Sequence, residues 1–266
     1  DRARAELGVL YGIERELSAT LTQYLSHSDR VLPRAASQIQ IYRDILNAPT
    51  RETQQRTLSN TVDEARELGV QFIVSGIVRS VALLDDQLLS NSLLSRAMRA
   101  LKFNEPHRHF VVDLFIHDGF SGAILFEKRY SASGSWESEH SDKMAFMSPE
   151  FSKMGYGQTV QQELRYMAKD IEMTVSCQPF MTRITRVEDR EIHFASGASS
   201  GIRPGDKLQL FRTRPIYQGS QYLGTQLVAT KQALQVSLVQ PGFAVGRMTT
   251  DPTRLNLQED DVLVHW

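Results

Sequence analysis

The chain has very little cysteine. Cys177 is the only one among 266 residues, which excludes an intramolecular disulfide and a zinc site built from cysteine thiolates. A single cysteine is compatible with the cytosol. In an oxidising compartment we expect it to be buried, because an exposed thiol would form intermolecular disulfides. The cysteine content therefore excludes a disulfide and a cysteine-based zinc site, but it does not identify the cellular compartment.

Long apolar runs and an excess of either charge are also missing. The most apolar stretch, Val70–Leu84, contains Gly76 and Arg79 and falls short of the roughly 18–20 apolar residues that cross a bilayer, so we expect a buried strand. The formal net charge is −1, whereas a general nucleic-acid binder needs an excess of Lys and Arg. With 41% apolar and 23% charged residues, the composition is that of a soluble globular protein with one large or two ordinary domains.

The first part of the chain mixes helix and strand patterns. Apolar residues recur on one helical face from Ile13 to Tyr24 and again from Pro49 to Leu68, where Gly69 ends the second helix. Val31–Pro33 has the pattern of a short strand between them, and Val70–Val81 that of a central strand. This order predicts a sheet covered by helices.

A hairpin and a third helix continue the same pattern. Alternation from His109 to His117 predicts a strand, Asp118–Gly122 supplies the turn, and Ala123–Tyr130 returns as the second strand. Gln158–Val175 is predicted to be helical. Residues 1–174 are therefore predicted to form an α+β domain.

From residue 175 onward no helical period survives. The turn Gly201–Asp206 leads directly into alternating residues that end at Arg212, which is how a small β-barrel opens a strand. Short strands separated by turn clusters predict an all-β barrel over residues 175–266. The predicted strands are Phe180–Val187, Glu191–Phe194, Lys207–Arg212, Gln221–Ala229, Leu234–Val239, Ala244–Thr249 and Asp261–Trp266.

Two groups of histidines have the residue types of a metal or acid–base site. His107 and His109 share one face of a strand, but no third ligand lies at a useful spacing, so we interpret them as surface residues where the strand begins. His117–Asp118 resembles a base with its orienting acid, yet the geometry of the hairpin turn explains it without chemistry.

Other polar groupings also have structural explanations. Glu139–Asp142 contains the residue types of a hydrolase triad, but neighbours in sequence rarely face one another and no Gly-x-Ser-x-Gly elbow is present. Asp85–Asp86 and Glu259–Asp261 lack the spacing of a calcium loop and are interpreted as solvated turns. Gly155–Gly157 lacks the strand and third glycine of a phosphate loop and is interpreted as a flexible start to a helix. No catalytic, cofactor-binding or metal residue is predicted.

The two tryptophans lie in different contexts. Trp136 falls in Ser131–Ser152, which we interpret as a long polar loop. There Trp136 either anchors a partner or caps the sheet. Trp266 is expected to pack against the last strand of the barrel.

Five stretches, taken in order, resemble the flagellar assembly protein T family: Gly12–Leu17, Leu32–Arg34, Phe72–Gly76, Asp118–Gly122 and Gly201–Arg212. The resemblance implies a middle domain similar to the N-terminal domain of TolB, then an SH3-like barrel. The family's N-terminal domain is missing, and the chain begins with neither an initiator Met nor a signal peptide, so we expect a processed or truncated form.

The resemblance implies a non-enzymatic role. Members of this family are periplasmic subunits of the H ring, which surrounds the LP ring of the flagellar basal body and is needed to assemble the T ring that holds the stator units. The implied partners are further copies of the subunit, LP-ring proteins and the T-ring proteins MotX and MotY, without cofactor, nucleic acid or small-molecule substrate. Candidate contact surfaces are Leu83–Pro106, Ser131–Ser152 and Thr213–Tyr222.

Two other functions remain open from the sequence. A periplasmic adaptor with a TolB-like domain, acting in envelope integrity or secretion, would have the same α+β texture. A hydrolase centred on His140 and Asp142 is the enzymatic alternative.

Overall fold

The computed structural model describes residues 10–39, 41, 54–84, 107–137 and 143–266. Contacts between Cα atoms divide the chain into two compact units that interleave along the sequence. The first unit comprises residues 1–46, 74–115 and 126–174, and the second comprises 47–73, 116–125 and 175–266. The division of the chain at residue 174 into two domains stays a prediction.

The first 176 residues combine helices with short and long strands, as the sequence predicts. The elements are β1 (Leu10–Tyr11), α1 (Ile13–Leu25), α2 (Gln54–Leu68), β2 (Phe72–Ser80), β3 (Leu83–Leu84), β4 (His107–Asp118), β5 (Ile124–Ser135), β6 (Met144–Ala145), α3 (Pro149–Lys153) and α4 (Gly155–Ser176). Strand β4 pairs with β2, β3 and β5, while β1 and β6 form a separate parallel pair. The start predicted for α2, at Pro49, lies outside the described residues.

Burial explains why β4 and α4 form. From Phe110 to Ile116 all but one residue of β4 is buried, the near-continuous pattern of a strand covered on both faces. Helix α4 buries an apolar stripe at helical spacing, and the predicted Gln158–Val175 segment lies within it. The buried residues are Val160, Leu164, Met167, Ala168, Ile171 and Val175.

Two predictions for this part are wrong. Val31–Pro33 forms no strand, because the segment after α1 has no ladder partner among the described residues. Ser131–Ser152 is not one long loop: β5 continues to Ser135, and β6 and α3 lie within the segment. Helix α3 begins at Pro149 because the Ser148 hydroxyl accepts a hydrogen bond from the amide of Phe151 at 3.2 Å and caps the helix.

The C-terminal part is a closed antiparallel barrel of six strands. They are β7 (Phe180–Glu188), β8 (Glu191–Phe194), β9 (Lys207–Gln218), β10 (Gln221–Val239), β11 (Ala244–Arg247) and β12 (Val262–His265). Their order around the barrel is β10-β11-β8-β7-β12-β9. Inward-facing residues at period two fill the interior, among them Ile184, Phe194, Leu208, Leu210, Leu234 and Leu263.

Strands β9 and β10 are longer than the sequence pattern indicates. The predicted strands Gln221–Ala229 and Leu234–Val239 are one strand, whose register shifts between Ala229 and Ala233, where Lys231 has φ 60°. A residue in the left-handed region is typical of a β-bulge. The gap between the two predicted strands therefore corresponds to a β-bulge, at which the strand bends but stays in the sheet.

Two predictions at the end of the barrel are also wrong. Asp261 is 3% exposed, and its carboxylate accepts hydrogen bonds from the amides of Thr213, at 2.8 Å, and Gln258, at 2.9 Å. It is a structural cap rather than part of a solvated turn. Trp266 lies beyond the last residue of β12 and is 78% exposed, so it does not pack against the barrel.

The start of α4 is closely packed and not the flexible segment that the glycines suggest. A Cβ on Gly157 would overlap the carbonyl oxygen of Phe151, and one on Gly134 would lie 2.6 Å from the Cα of Tyr156. The glycines of this region allow β5, α3 and α4 to approach one another at backbone distance.

Replacing Gly157 with Ala should lower the free energy of unfolding by about 1–3 kcal/mol, because the new methyl group overpacks a rigid backbone contact. Urea denaturation measures the change. Gly242→Ala is the matched control, since a Cβ there meets open space. A Gly157→Ala variant as stable as the parent would contradict this packing.

Candidate assembly surfaces

His117 and Asp118, which have the residue types of an acid–base pair, lie at the end of β4 and in the hairpin turn that follows it. His117 is 2% exposed, and burial lowers its pKa. Asp118 accepts hydrogen bonds from the Phe120 amide, at 3.0 Å, and from the Ser121 hydroxyl, at 2.6 Å. The carboxylate therefore closes the hairpin turn, as the structural interpretation of His117–Asp118 predicts.

Candidate metal ligands do not come together in the described part of the chain, where no three His, Cys, Asp or Glu side chains are grouped to hold an ion. Asp85–Asp86 and Glu139–Asp142 lie outside the described residues, as does most of Leu83–Pro106. Cys177 is exposed. No described helix is both long enough and apolar enough to pass through a membrane.

A buried carboxylate links three strands of the first unit. Asp113 of β4, 6% exposed, accepts hydrogen bonds from Arg79 of β2, at 2.7 Å, and from two nitrogens of Arg129 of β5, at 2.6 and 2.9 Å. Hydrogen bonds from Arg129, with a smaller contribution from Arg79, lower the pKa of Asp113 although burial opposes them. This ion network fixes the pairing of neighbouring strands.

A shallow groove of about 410 Å³ lies between β5 and α4. On its floor the Tyr130 hydroxyl donates to Asp170 at 2.6 Å, and Lys128 Nζ contacts the same carboxylate oxygen at 2.7 Å. Burial, followed by the hydrogen bond to Asp170, raises the pKa of Tyr130. The phenol therefore keeps its proton. Tyr166 and Met173 of α4 are exposed at the groove.

Trp136 is a structural cap and not a partner anchor. Its side chain is 1% exposed, the guanidinium carbon of Arg108 lies 4.1 Å from its ring centroid, and the Tyr156 ring meets it edge-on at 5.8 Å. The Tyr156 hydroxyl also donates to the carbonyl of His109 at 3.0 Å. The cap ties the start of α4 to β4.

The barrel carries a projecting two-stranded ribbon, which we call the arm and define as residues 212–228. Strand β9 pairs with β12 only at residues 209–211, and β10 pairs with β11 only from Gln235 onward. Between these limits, within the described part of the chain, the two strands of the ribbon have only each other as ladder partners. The arm contains the whole of Thr213–Tyr222, a candidate contact surface in the sequence.

The sequence analysis names this segment as a candidate contact surface but does not note its charge. Five basic residues and no acidic residue occur from Lys207 to Thr250, although the whole chain is nearly neutral. Arg212 and Arg214 of the arm are exposed. The signal was available as a run of 44 residues without a carboxylate, but net charge alone conceals it.

Replacing Asp113 with Asn should lower the free energy of unfolding at pH 7 by about 1–3 kcal/mol, because Arg79 and Arg129 lose a charged partner while water screens the exposed Arg129. The folded pKa of Asp113 lies below its unfolded value near 4, so its contribution is fully present above about pH 4 and is lost as the pH falls through the folded pKa.

Urea unfolding of the parent and the Asp113→Asn variant between pH 7 and pH 2.5 tests this. Asp63→Asn is the control: that carboxylate is exposed and pairs with Arg66 at the surface, so we expect a change below about 1 kcal/mol. A stability difference between the parent and the Asp113→Asn variant that does not shrink in acid would contradict the assignment.

Comparison with known proteins gives a family match and weak structural likenesses. No curated protein matches the chain. A hypothetical protein from Chlamydia trachomatis is 16% identical, with 63% of this chain and 87% of that one covered and a TM-score of 0.41. A protein from Caulobacter crescentus described as a putative lipoprotein is also 16% identical, covering 49% and 84%, with a TM-score of 0.22. Neither structure supports a functional argument.

Two family models identify the family to which the chain belongs. The model described as the middle domain of flagellar assembly protein T matches residues 1–146, more than half of the chain. The model of the C-terminal domain of the same protein matches residues 189–265. The order and spacing of the two matches agree with the order of the α+β part and the barrel. The chain therefore belongs to the flagellar assembly protein T family, whose middle and C-terminal domains it carries.

Proposed function

We propose that the chain is a non-enzymatic structural subunit of the H ring of the flagellar basal body, located in the periplasm. The match of both of its domains to a flagellar assembly family carries this proposal. In this role copies of the subunit associate around the LP ring. The completed ring then supports assembly of the T ring, through MotX and MotY, and so the incorporation of stator units.

The proposal also assigns a fold family to each of the two domains. Residues 1–174 are proposed to be similar to the N-terminal domain of TolB and residues 175–266 to be an SH3-like barrel. The mixed helix and sheet texture of the first part and the small closed antiparallel barrel of the second support these assignments.

The electrostatics of the described residues favour assembly over catalysis. Asp113 and Asp170 are held by arginine, lysine and tyrosine donors, and Asp261 is held by backbone amides. Groups fixed in this way stiffen a scaffold, whereas a catalytic acid or base needs access to a substrate proton. A ring built from head-to-tail contacts needs subunits with two different contact surfaces.

Electron microscopy of purified basal bodies tests the proposal. In a strain without this gene we expect the outer ring and motility to be lost, and both to return when the gene is restored. His140→Ala is the matched control for the hydrolase alternative and should leave ring and motility intact. An unchanged ring in the deletion strain would overturn the proposal. Normal motility with a leaky envelope would favour the TolB-like adaptor.

A further inference from the structure

The two faces of the arm differ in what covers them. Phe211 and Leu227 pack against the cluster of Phe120, Val262 and Val264, so the face that they share is anchored to its own unit. Because side chains alternate along a strand, Arg212 and its cross-strand partner Val228 lie on the opposite face.

The opposite face is made by side chains on the same side of β9 as the barrel interior, but beyond the barrel these side chains are exposed. Leu208 and Leu210 of β9 are buried in the core, and the next residues on the same side are Arg212, Arg214 and Ile216. Ile216 is 37% exposed and Val228 36%. We call Arg212, Arg214, Ile216, Gln226 and Val228 the cationic face of the arm.

The two arginines of this face differ from several other arginines of the barrel unit. Arg66 pairs with Asp63 and Asp260, Arg186 with Glu188, and Arg247 with Glu191. Among the described residues neither Arg212 nor Arg214 has an ion pair, whereas Arg66 and Arg247 reach carboxylates far away in the sequence. Exposed guanidinium groups beside apolar side chains are typical of protein interfaces.

The same unit also carries an acidic surface. Helix α2 exposes Asp63 and Glu67, and the 3.1 Å contact from Arg66 to Asp260 places this helix beside the turn before β12. We call the carboxylates of this region the acidic patch. Its members are Asp63, Glu64, Glu67, Glu259 and Asp260.

The acidic patch and the cationic face lie on different sides of the arm. Ala65 of α2 packs against Gly119: a Cβ added to Gly119 would lie 2.6 Å from the Cβ of Ala65. Gly119 directly precedes Phe120, which belongs to the cluster that covers the anchored face. Helix α2 is therefore on the Phe120 side of the unit, and the cationic face points away from Phe120 and Leu227. The two surfaces suit different neighbours.

We propose that the cationic face of the arm binds the acidic patch of a second copy of this chain. The contact joins two different surfaces and so propagates from one copy to the next, which generates a ring when the rotation closes. It deepens the ring role proposed above and rests on it for the identity of the partner. Arm-to-arm pairing is disfavoured, because it would bring Arg212 and Arg214 against the same arginines of a second copy.

Charge reversal tests the contact in solution. We expect Arg212→Glu together with Arg214→Glu to weaken self-association by roughly 10- to 100-fold, since like charges then face one another across the interface. Sedimentation velocity over a series of protein and salt concentrations measures this, and the parent's association should weaken as salt rises. Arg203→Glu with Arg254→Glu, two exposed residues outside the arm, makes the same change in net charge and should have little effect.

A complementary reversal separates loss of contact from loss of folding. Asp63→Arg with Glu67→Arg should also weaken association, and a chain that carries both reversals should associate again, because the charges are exchanged and still match. Failure of the doubly reversed chain to recover, with each variant folded by circular dichroism, would overturn the inference.

Cross-linking identifies the partner in assembled basal bodies. A photoreactive benzoylphenylalanine at position 216 should link to peptides around α2 or residues 258–261, and mixed isotopic labelling should show that the two peptides come from different copies. Links to another protein only, links to lipid or cell-wall polymer, or no copy-to-copy link would each overturn it.

The outcomes for this contact and for the ring role are distinguishable. If deletion of the gene removes the outer ring but the reversal of Arg212 and Arg214 leaves ring and self-association intact, the ring role stands and this contact is wrong. If deletion leaves the ring unchanged, the ring role is wrong, and sedimentation and cross-linking still decide whether copies meet through the arm.

Discussion

The shape of the barrel unit depends on unequal strand lengths in a closed sheet. Strands β9 and β10 have 12 and 19 residues, whereas their barrel neighbours β12 and β11 have four each. The excess length cannot remain in the barrel wall, so it leaves as the arm. Asp261 holds the point of departure: its carboxylate accepts the Thr213 amide just beyond the last β9–β12 pair, where the ladder lacks a partner. A buried amide without that acceptor would be costly.

In the first unit, buried polar contacts hold the strands of the sheet to one another and to the start of the long helix α4. Asp113 connects three strands through two arginines. Where α4 begins, Arg108 lies over the Trp136 ring and Tyr156 meets that ring edge-on. The ion network and the aromatic contacts give this part of the chain a defined geometry.

Much of this fold could be predicted from periodicity. The pattern predicts β8 at its observed bounds, and β4, β7 and α4 within a few residues, because their buried faces impose clear repeats. Periodicity fails where tertiary contacts decide. The β-bulge at Lys231 looks like a chain break, Ser131–Ser135 looks polar because one face of β5 is exposed, and Asp261 looks like any turn residue until Thr213 is beside it. Turn signals in the sequence indicate the hairpin of the arm. That the arm has no further strand partner follows from the shortness of β11 and β12, which is seen only once the strands are paired.

The central claim is that a strand pair projecting from the barrel is a contact surface between copies. Hydrogen exchange followed by mass spectrometry, comparing the free protein with the same protein in purified basal bodies, tests it directly. We predict that peptides covering residues 212–228 and α2 gain protection on assembly, while peptides from the barrel interior around Leu208 and Leu210 are protected in both states. Arm peptides that exchange equally fast in the free and assembled states would contradict the account.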